Sequence, residues 1–170
     1  MSNLIKNFAR PDKAEEVVTF GSLDASTQEL LKAAFAVRQH AYVPYSGFKV
    51  GAAFRAIPSN QIFTGCNVEN AAFTPCSCAE RTALTKAVSE GAREFSVGAV
   101  VAYQEDVFTP PCGVCRQFIR EFATVDIPIY IGQALDHRLE TKEDPFHPDD
   151  PILSTSIFNL LPSSFHTYRK

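Results

Sequence analysis

Three cysteines and one glutamate, grouped in two short clusters, are the residue types needed to hold a metal ion and move a proton. Cys78 and Glu80 belong to the segment Cys-Ala-Glu-Arg, and Cys112 and Cys115 have the Cys-x-x-Cys spacing that lets two sulfurs reach one ion. Cys78 would supply a third sulfur, and nothing beside these residues supplies a clean fourth. Structural zinc sites are closed by four protein ligands, whereas catalytic zinc keeps one position for water. The pattern therefore predicts a catalytic zinc ion held by Cys78, Cys112 and Cys115.

Glu80 and Arg81 follow the first predicted ligand and could serve the chemistry of the ion. Glu80 is close enough to exchange a proton with a water molecule at the metal, although helix starts also favour glutamate for its charge alone. Three thiolates around Zn²⁺ leave an excess of negative charge, which weakens the ion as a Lewis acid unless a cation offsets it. Arg81 is the first candidate for that cation and Arg116 the second, although a solvated helix arginine describes Arg116 better.

Two further cysteines and the histidines compete for the role of ligand. Cys76 would allow a four-sulfur structural site, but such a site needs a different backbone path and leaves no room for water. Cys66 ends a β-rich run, where a small buried hydrophobic residue is the expected role. The histidines have no metal-like spacing with the cysteines and are predicted at the surface; they are His40, His137, His147 and His166.

The segments around these residues, taken together, resemble the cytidine deaminases whose first metal ligand is cysteine rather than histidine. A Cys-Ala-Glu segment followed by Pro-Cys-x-x-Cys is similar to the general signature of zinc deaminases. Three more motifs carry the resemblance: residues 44–53 (Pro-Tyr-Ser-Gly-Phe-Lys-Val-Gly-Ala-Ala), 65–71 (Gly-Cys-Asn-Val-Glu-Asn-Ala) and 160–165 (Leu-Leu-Pro-Ser-Ser-Phe). The resemblance covers about residues 25 to 165. The chain departs from it at Phe73, where the family often has tyrosine, and in a long polar segment at 132–150.

The resemblance implies an activity, a cofactor and an assembly. The implied reaction is the zinc-dependent hydrolysis of cytidine or deoxycytidine to uridine or deoxyuridine plus ammonia, a step of pyrimidine salvage, with one zinc ion per subunit. A water molecule activated at the metal attacks C4 of the pyrimidine, and Glu80 protonates ring N3 before it passes a proton to the leaving amine. Family members of this type are homotetramers, so active sites at subunit interfaces are expected.

The resemblance also assigns residues to the nucleoside. Asn67 and Glu69 would clamp the ribose hydroxyls, with Glu69 on the 3′ hydroxyl; from their positions alone they are polar residues at a strand end. The other implied contacts are aromatic side chains and one backbone amide: Phe48 and Tyr45 against the nucleoside, the N–H of Ala79 at the base edge, and Phe165 stacking on the base from a neighbouring subunit. A carbonyl of Pro110 or Pro111 is a further expected contact at the base edge.

The elements that must position these residues alternate between helices and strands, which predicts a three-layer α/β/α sandwich with a mixed sheet. The predicted helices are 26–41, 80–90, 113–122 and a turn at 157–161, and the predicted strands are 50–57, 61–67, 95–103, 128–131 and 152–155. Cys78 and Cys112 then stand at helix starts, where the helix dipole favours thiolate over thiol. The resemblance implies five strands, with both zinc-bearing helices on one face. Residues 1–22 are predicted to be a variable extension and 23–170 a single domain, with 132–150 a surface loop.

Composition excludes several classes of protein. The 170 residues include 45% hydrophobic residues and 14 phenylalanines, which suits one globular domain. The net charge of −3 and the lack of a Lys/Arg cluster give no footprint for a nucleic-acid backbone. Five clustered cysteines favour metal binding over disulfides, and residues 1–23 contain no sustained apolar run, so neither a signal peptide nor a membrane span is predicted. A cytoplasmic location is expected, and a nuclear fraction stays open.

Two other functions compete with nucleoside deamination. The same chemistry could act on a cytosine in RNA or on an aminopyrimidine antibiotic. Alternatively, the cysteines could form a structural zinc module used for binding, which would need a fourth sulfur, with Cys76 the best candidate, and would leave Glu80 without a role.

Overall fold

The computed structural model describes residues 10–134 and 144–166. Within these residues its centre is a mixed sheet of six strands, in which one pair of neighbouring strands is parallel and the other neighbouring pairs are antiparallel. The strands are β1 (Glu16–Thr19), β2 (Val50–Ile57), β3 (Ile62–Cys66), β4 (Glu94–Ala102), β5 (Pro128–Gln133) and β6 (Pro151–Ser156), in the spatial order β1-β6-β5-β4-β2-β3. The helices are α1 (Ala25–Arg38), α2 (Ala79–Ser89), α3 (Gly113–Glu121) and α4 (Ile157–Leu160), with a 3₁₀ turn at Phe20–Ser22.

Helices cover both faces of the sheet, which confirms the predicted α/β/α sandwich. Alternate residues of a strand point to opposite faces, so Phe54 of β2 packs with α2 and α3 while Ala53 packs with α1. The buried core on the first face includes Leu84 of α2 and Ile119 of α3. Both helices that begin at predicted zinc ligands therefore lie on one face, as the family resemblance implied.

The sheet has six strands rather than the predicted five because the N-terminal segment contributes β1. This strand pairs antiparallel with β6, with Val18 opposite Ile152. It is short, and three of its four residues are exposed, so its sequence lacks the alternation of apolar and polar residues that reveals a half-buried strand. The division of the chain at residue 22 stays a prediction.

The predicted surface loop at 132–150 is wrong at both of its ends. Gly132 and Gln133 complete β5, and Phe146 is buried on the α1 face, where its ring stacks on Phe20 at 4.9 Å and meets Phe35 edge-on at 5.9 Å. A single aromatic residue in a polar stretch gives no periodic signal. Residues 135–143, which include His137, lie outside the described part of the chain. Among the described residues, no helix is long and apolar enough to cross a membrane.

Candidate active site

The predicted metal ligands meet at the starts of two neighbouring helices. Cys78 is the N-cap residue of α2 and Cys112 is that of α3, and neither side chain is used to cap its own helix. Cys115 is buried in the first turn of α3. The three sulfur atoms lie within 4.8 Å of one another, and the Cys78 and Cys112 sulfurs are 3.9 Å apart. Because the positive ends of two helix dipoles meet at these cysteines, they favour the thiolate form, and neighbouring thiolates in turn bind a metal cation.

The spacing of the sulfurs fits a zinc ion. Zinc–sulfur bonds of about 2.3 Å in a tetrahedron place two sulfurs about 3.8 Å apart, close to the 3.9 Å between Cys78 and Cys112. Cys76 does not join them, because its sulfur is paired with the backbone N–H and carbonyl of Asn70 at 3.2 and 3.6 Å. Within the described residues the metal cluster therefore has three cysteines, which argues against the four-sulfur alternative.

The thiols hold their protons unequally. A hydrogen bond from Cys115 and the nearby charge of Arg81 lower the pKa of Cys78 to about 5, against the opposing effect of burial. The same contact with Cys78, together with burial and the charge of Glu80, raises the pKa of Cys115. Three adjacent thiolates cannot coexist without a compensating cation. A divalent ion would remove the remaining protons and complete the charge balance.

Glu80 lies in the first turn of α2 with only 4% of its surface exposed. Burial, and secondarily the negative charge of Cys78, raise the pKa of its carboxyl group. A raised pKa suits a group that must accept a proton and then release it. Helix α2 comes this close to the sheet because Gly65 of β3 has no side chain; a Cβ there would lie 2.3 Å from the backbone nitrogen of Ala83.

A pocket of about 350 Å³ opens beside this cluster. Cys78, Glu80 and Cys112 form one part of its wall, and aromatic side chains form another. All the predicted nucleoside contacts other than Phe165 line it, namely Tyr45, Phe48, Asn67, Glu69 and Ala79. Two glutamates line the pocket, and no described lysine, arginine or histidine does. The pocket therefore suits an uncharged ring compound that has hydroxyl or amino groups.

The polar residues of the pocket are held by the backbone of the loop before β2. Asn67 accepts a hydrogen bond from the Val50 N–H and donates one to the Phe48 carbonyl, both at 2.8 Å. Glu69 accepts hydrogen bonds from the N–H groups of Tyr45 and Ser46 at 2.9 and 3.2 Å, and from the Ser46 hydroxyl. These bonds, the one from the Ser46 hydroxyl most of all, lower the pKa of Glu69. The sequence interpretation missed Ser46, although it stands within a quoted motif.

Comparison with known proteins identifies the family. A family model described as the cytidine and deoxycytidylate deaminase zinc-binding region matches residues 24–131. The chain belongs to the cytidine deaminase family. A cytidine deaminase of Sporosarcina psychrophila is 42% identical over 138 residues, which are 81% of this chain and 90% of the relative. A probable cytidine deaminase of Dictyostelium discoideum is 45% identical over 81% of this chain and 82% of its own length. The sequence resemblance is thereby confirmed.

Solved structures of cytidine deaminases share the fold. The enzyme from Burkholderia pseudomallei superposes with a TM-score of 0.66 at 38% identity and covers 81% of this chain and 97% of its own. The cytidine deaminase from Mycobacterium tuberculosis gives 0.64 at 30% identity, over 85% and 100% of the two chains. The matched zinc-binding region includes all three clustered cysteines. Zinc is therefore the metal of this site.

Several predicted residues of this cytidine deaminase lie outside the pocket. Phe165 is 72% exposed, and its carbonyl accepts a hydrogen bond from the Gln117 side chain at 3.3 Å. Arg81 does not line the pocket, and its guanidinium group donates a hydrogen bond to the Cys76 carbonyl at 2.7 Å. Arg116 is not the solvated arginine that its sequence suggested, because it donates to the carbonyls of Pro111 and Leu160. Backbone acceptors have no signature in a sequence, so these contacts could not be predicted.

Of the other side chains predicted to avoid the metal, those in the described part of the chain do not join the cysteine cluster. His40 and His147 are exposed, and the ring of the half-buried His166 contacts the carbonyl of Glu121 at 3.1 Å. Cys66 is half-buried at the end of β3, less enclosed than predicted. Phe73, the departure from the family pattern, lines the pocket with 80% of its surface exposed.

Proposed function

We propose that the chain is a hydrolase that deaminates cytidine and deoxycytidine to uridine and deoxyuridine with release of ammonia. The main support for this proposal is that the buried carboxyl group of Glu80 lines the same pocket as the three-sulfur zinc site. A zinc ion held by three cysteines would keep a fourth ligand position for water, and the acid in the same pocket could move protons. A structural zinc module would have a fourth protein ligand that closes the site, and it would have no role for Glu80.

The residues have separable roles in this reaction. Cys78, Cys112 and Cys115 hold the zinc ion, which when bound lowers the pKa of a water molecule and so supplies the nucleophile. Glu80 would accept one proton from that water and give it to N3 of the pyrimidine while the water oxygen bonds to C4. It would then take the remaining proton of that oxygen and give it to the amino group, which leaves as ammonia when the C4–N bond breaks and the C4 carbonyl forms. Its raised pKa, caused by burial, lets the carboxyl group hold the proton between these steps. Arg81 offsets the negative charge of the thiolates, the role its effect on the pKa of Cys78 supports.

The charges of the pocket favour a free nucleoside over a nucleotide. A monophosphate carries negative charge, but two glutamates line the pocket and no described lysine, arginine or histidine does. A zinc site with three thiolates also leaves an excess of negative charge. Hydrogen bonds from Ser46 and Tyr45 lower the pKa of Glu69 and favour its ionised form, and a phosphodiester beside this carboxylate would be repelled. Deoxycytidylate and cytosines within RNA are therefore poorer substrates than cytidine.

The remaining contacts orient the nucleoside. Asn67 and Glu69 bind the ribose hydroxyls through lone pairs and N–H groups that the loop leaves available. Phe48 and Tyr45 pack against the nucleoside, and the N–H of Ala79 contacts the base edge. The carbonyl of Pro111 already accepts a hydrogen bond from Arg116 at 2.7 Å, so the carbonyl of Pro110, which lines the pocket, is the better partner for the base amino group.

The exposed aromatic residues support assembly into a homotetramer with active sites at subunit interfaces. Tyr45 and Phe73 at the pocket and Phe165 beyond it expose 58, 80 and 72% of their surfaces in the single chain. A neighbouring subunit that covered them would remove apolar surface from water, and Phe165 would then reach the base of another subunit. All five cysteines lie in the described part of the chain and none forms a disulfide, which suits a reducing cytoplasm. In this proposal residues 23–170 form the single catalytic domain, and β1 (Glu16–Thr19) of the preceding segment adds an edge strand to its sheet.

The test follows the loss of ultraviolet absorbance when zinc-loaded protein is mixed with cytidine, with deoxycytidylate as competitor. Glu80→Gln should retain zinc and lose about 10²–10⁴-fold in kcat, because the shape is kept but the proton carrier is lost. Glu90→Gln, at the exposed C-terminal end of the same helix, is the control and should keep the parent rate. If Glu80→Gln turned over at the parent rate, or the parent protein did not deaminate cytidine, the proposed function would be wrong.

A further inference from the structure

Arg116 joins the metal-binding turn to the far end of the chain. Its Nε donates to the carbonyl of Pro111 at 2.7 Å, and one of its terminal nitrogens donates to the carbonyl of Leu160 at 2.9 Å. Pro111 directly precedes the ligand Cys112, and Leu160 is the last residue of α4. The planar guanidinium group is suited to this task, because its N–H groups form a rigid fork that can bond two acceptors at once.

The turn has few other ways to be fixed. Pro110 and Pro111 have no N–H groups, so this stretch can be tied down only through its carbonyls or by packing. Pro111 is fully buried, and Leu160 is 7% exposed. The carbonyl at the end of α4 also lacks a partner within its own helix. One arginine therefore satisfies two buried acceptors and sets the distance between them.

We propose that Arg116 is a positioning residue that holds the Pro110–Pro111–Cys112 turn in the geometry that zinc requires. It acts through the backbone of the turn, whereas Arg81 acts on the sulfurs by charge. Its contribution to zinc affinity needs only the three-sulfur site, and its contribution to turnover rests on the proposed function. Because Pro110 lines the pocket, the same contact also fixes one wall of the substrate site.

The experiment measures zinc affinity by competition with a coloured chelator, in Arg116→Gln and Arg116→Lys. Residues that orient metal ligands typically contribute about 10–100-fold to metal affinity, so Arg116→Gln should bind zinc 10–100-fold more weakly. Arg116→Lys should be intermediate, because an ammonium group can reach one carbonyl but cannot reproduce the fork. Turnover of cytidine at saturating zinc is measured in parallel and should fall in kcat in the same order.

Two control variants separate positioning from general loosening. Arg120→Gln removes an arginine one turn further along α3 that bonds Ser164 and Ala123, and Arg93→Gln removes an exposed arginine that bonds two carbonyls near the end of α2. Both should keep parent zinc affinity.

The outcomes are distinct. Parent zinc affinity in Arg116→Gln, or an equal loss in Arg120→Gln, would overturn the assignment of Arg116. If Arg116→Gln does not fold, Arg116→Lys decides, and parent affinity there would count against the fork. If the parent protein fails to deaminate cytidine while zinc affinity still falls in the expected order, the proposed function is wrong and the positioning role stands.

Discussion

Replacement of Gly65 by alanine tests whether the close approach of α2 to β3 sets the position of Glu80. A Cβ at this residue would lie 2.3 Å from the nitrogen of Ala83 and 2.6 Å from the carbonyl oxygen of Ala79. Both atoms belong to the backbone of α2, so no side chain can rotate away to make room. The helix must move instead, and with it the N-terminal turn that carries Glu80.

The size of the effect follows from these contacts. To reach ordinary van der Waals contact at 3.4 Å, the new Cβ and the Ala83 nitrogen must separate by about 1 Å. Overpacking of this kind costs about 1–3 kcal/mol of unfolding free energy. A misplacement of about 1 Å at a catalytic group can cost about 10²-fold in rate. Gly65→Ala is therefore expected to lose about 1–3 kcal/mol in stability and about 10²-fold in kcat for cytidine.

Urea unfolding and steady-state kinetics of zinc-loaded protein provide the measurements. Gly113→Ala is the control, because Gly113 begins α3 beside Cys112 but a Cβ there meets nothing within 4 Å. That variant should keep the parent rate and gain about 0.4–1 kcal/mol, since alanine has fewer conformations to lose from the unfolded chain and Gly113 has no left-handed backbone conformation. The reasoning is refuted if Gly65→Ala keeps both the stability and the rate of the parent. A loss of stability with an unchanged rate would show that the shift of α2 does not reach Glu80.

Two further predictions concern a helix cap and the pocket loop. Asp24→Ala should cost about 1 kcal/mol at pH 7, because the Asp24 carboxylate accepts hydrogen bonds from the N–H and hydroxyl of Thr27 at 2.9 and 2.8 Å. Those bonds lower the pKa of Asp24 below its ordinary 3.8. The loss of unfolding free energy in Asp24→Ala should therefore be complete above pH 3.8 and should vanish as the pH falls through the lowered pKa. A loss that grew in acid would contradict this. Ser46→Ala should raise KM for cytidine about 10-fold with zinc content unchanged, because Glu69 loses a hydrogen bond to a charged group. Ser89→Ala is the control and should not change KM, because the Ser89 hydroxyl donates to the Lys86 carbonyl at 2.7 Å, away from the pocket. An unchanged KM in Ser46→Ala would count against the role of Ser46 in orienting Glu69.

Much of the candidate site could be predicted because its chemistry is local in the chain. Cys112 and Cys115 lie one helical turn apart, so their spacing alone brings two sulfurs to one side of α3. Glu80 follows Cys78 closely enough that both belong to one helix start. The main strands were also predictable, since β2 and β4 are mostly apolar runs bounded by turn residues, although Arg55 and Ser96 interrupt them.

Contacts made to backbone atoms, or by short and irregular segments, could not be predicted. The strand β1 has four residues and lies at the edge of the sheet, so tertiary pairing with β6 forms it rather than its own periodicity. Phe146 is buried only because Phe20 and Phe35 provide a place for its ring. The partners of Arg116 are two carbonyls that any residue could offer.

The sequence by itself determined the donor atoms, the acid and the helices that present them, because residue types and helical spacing fix what lies within one turn. The tertiary structure decided which sulfurs share an ion. Cys76 and Cys78 are only two residues apart, yet the Cys76 sulfur accepts a hydrogen bond from the backbone N–H of Asn70. The Cys78 sulfur instead lies 3.9 Å from the sulfur of Cys112 at the start of α3. Distances between segments far apart in the chain depend on how the helices pack on the sheet, and packing is a property of the whole fold.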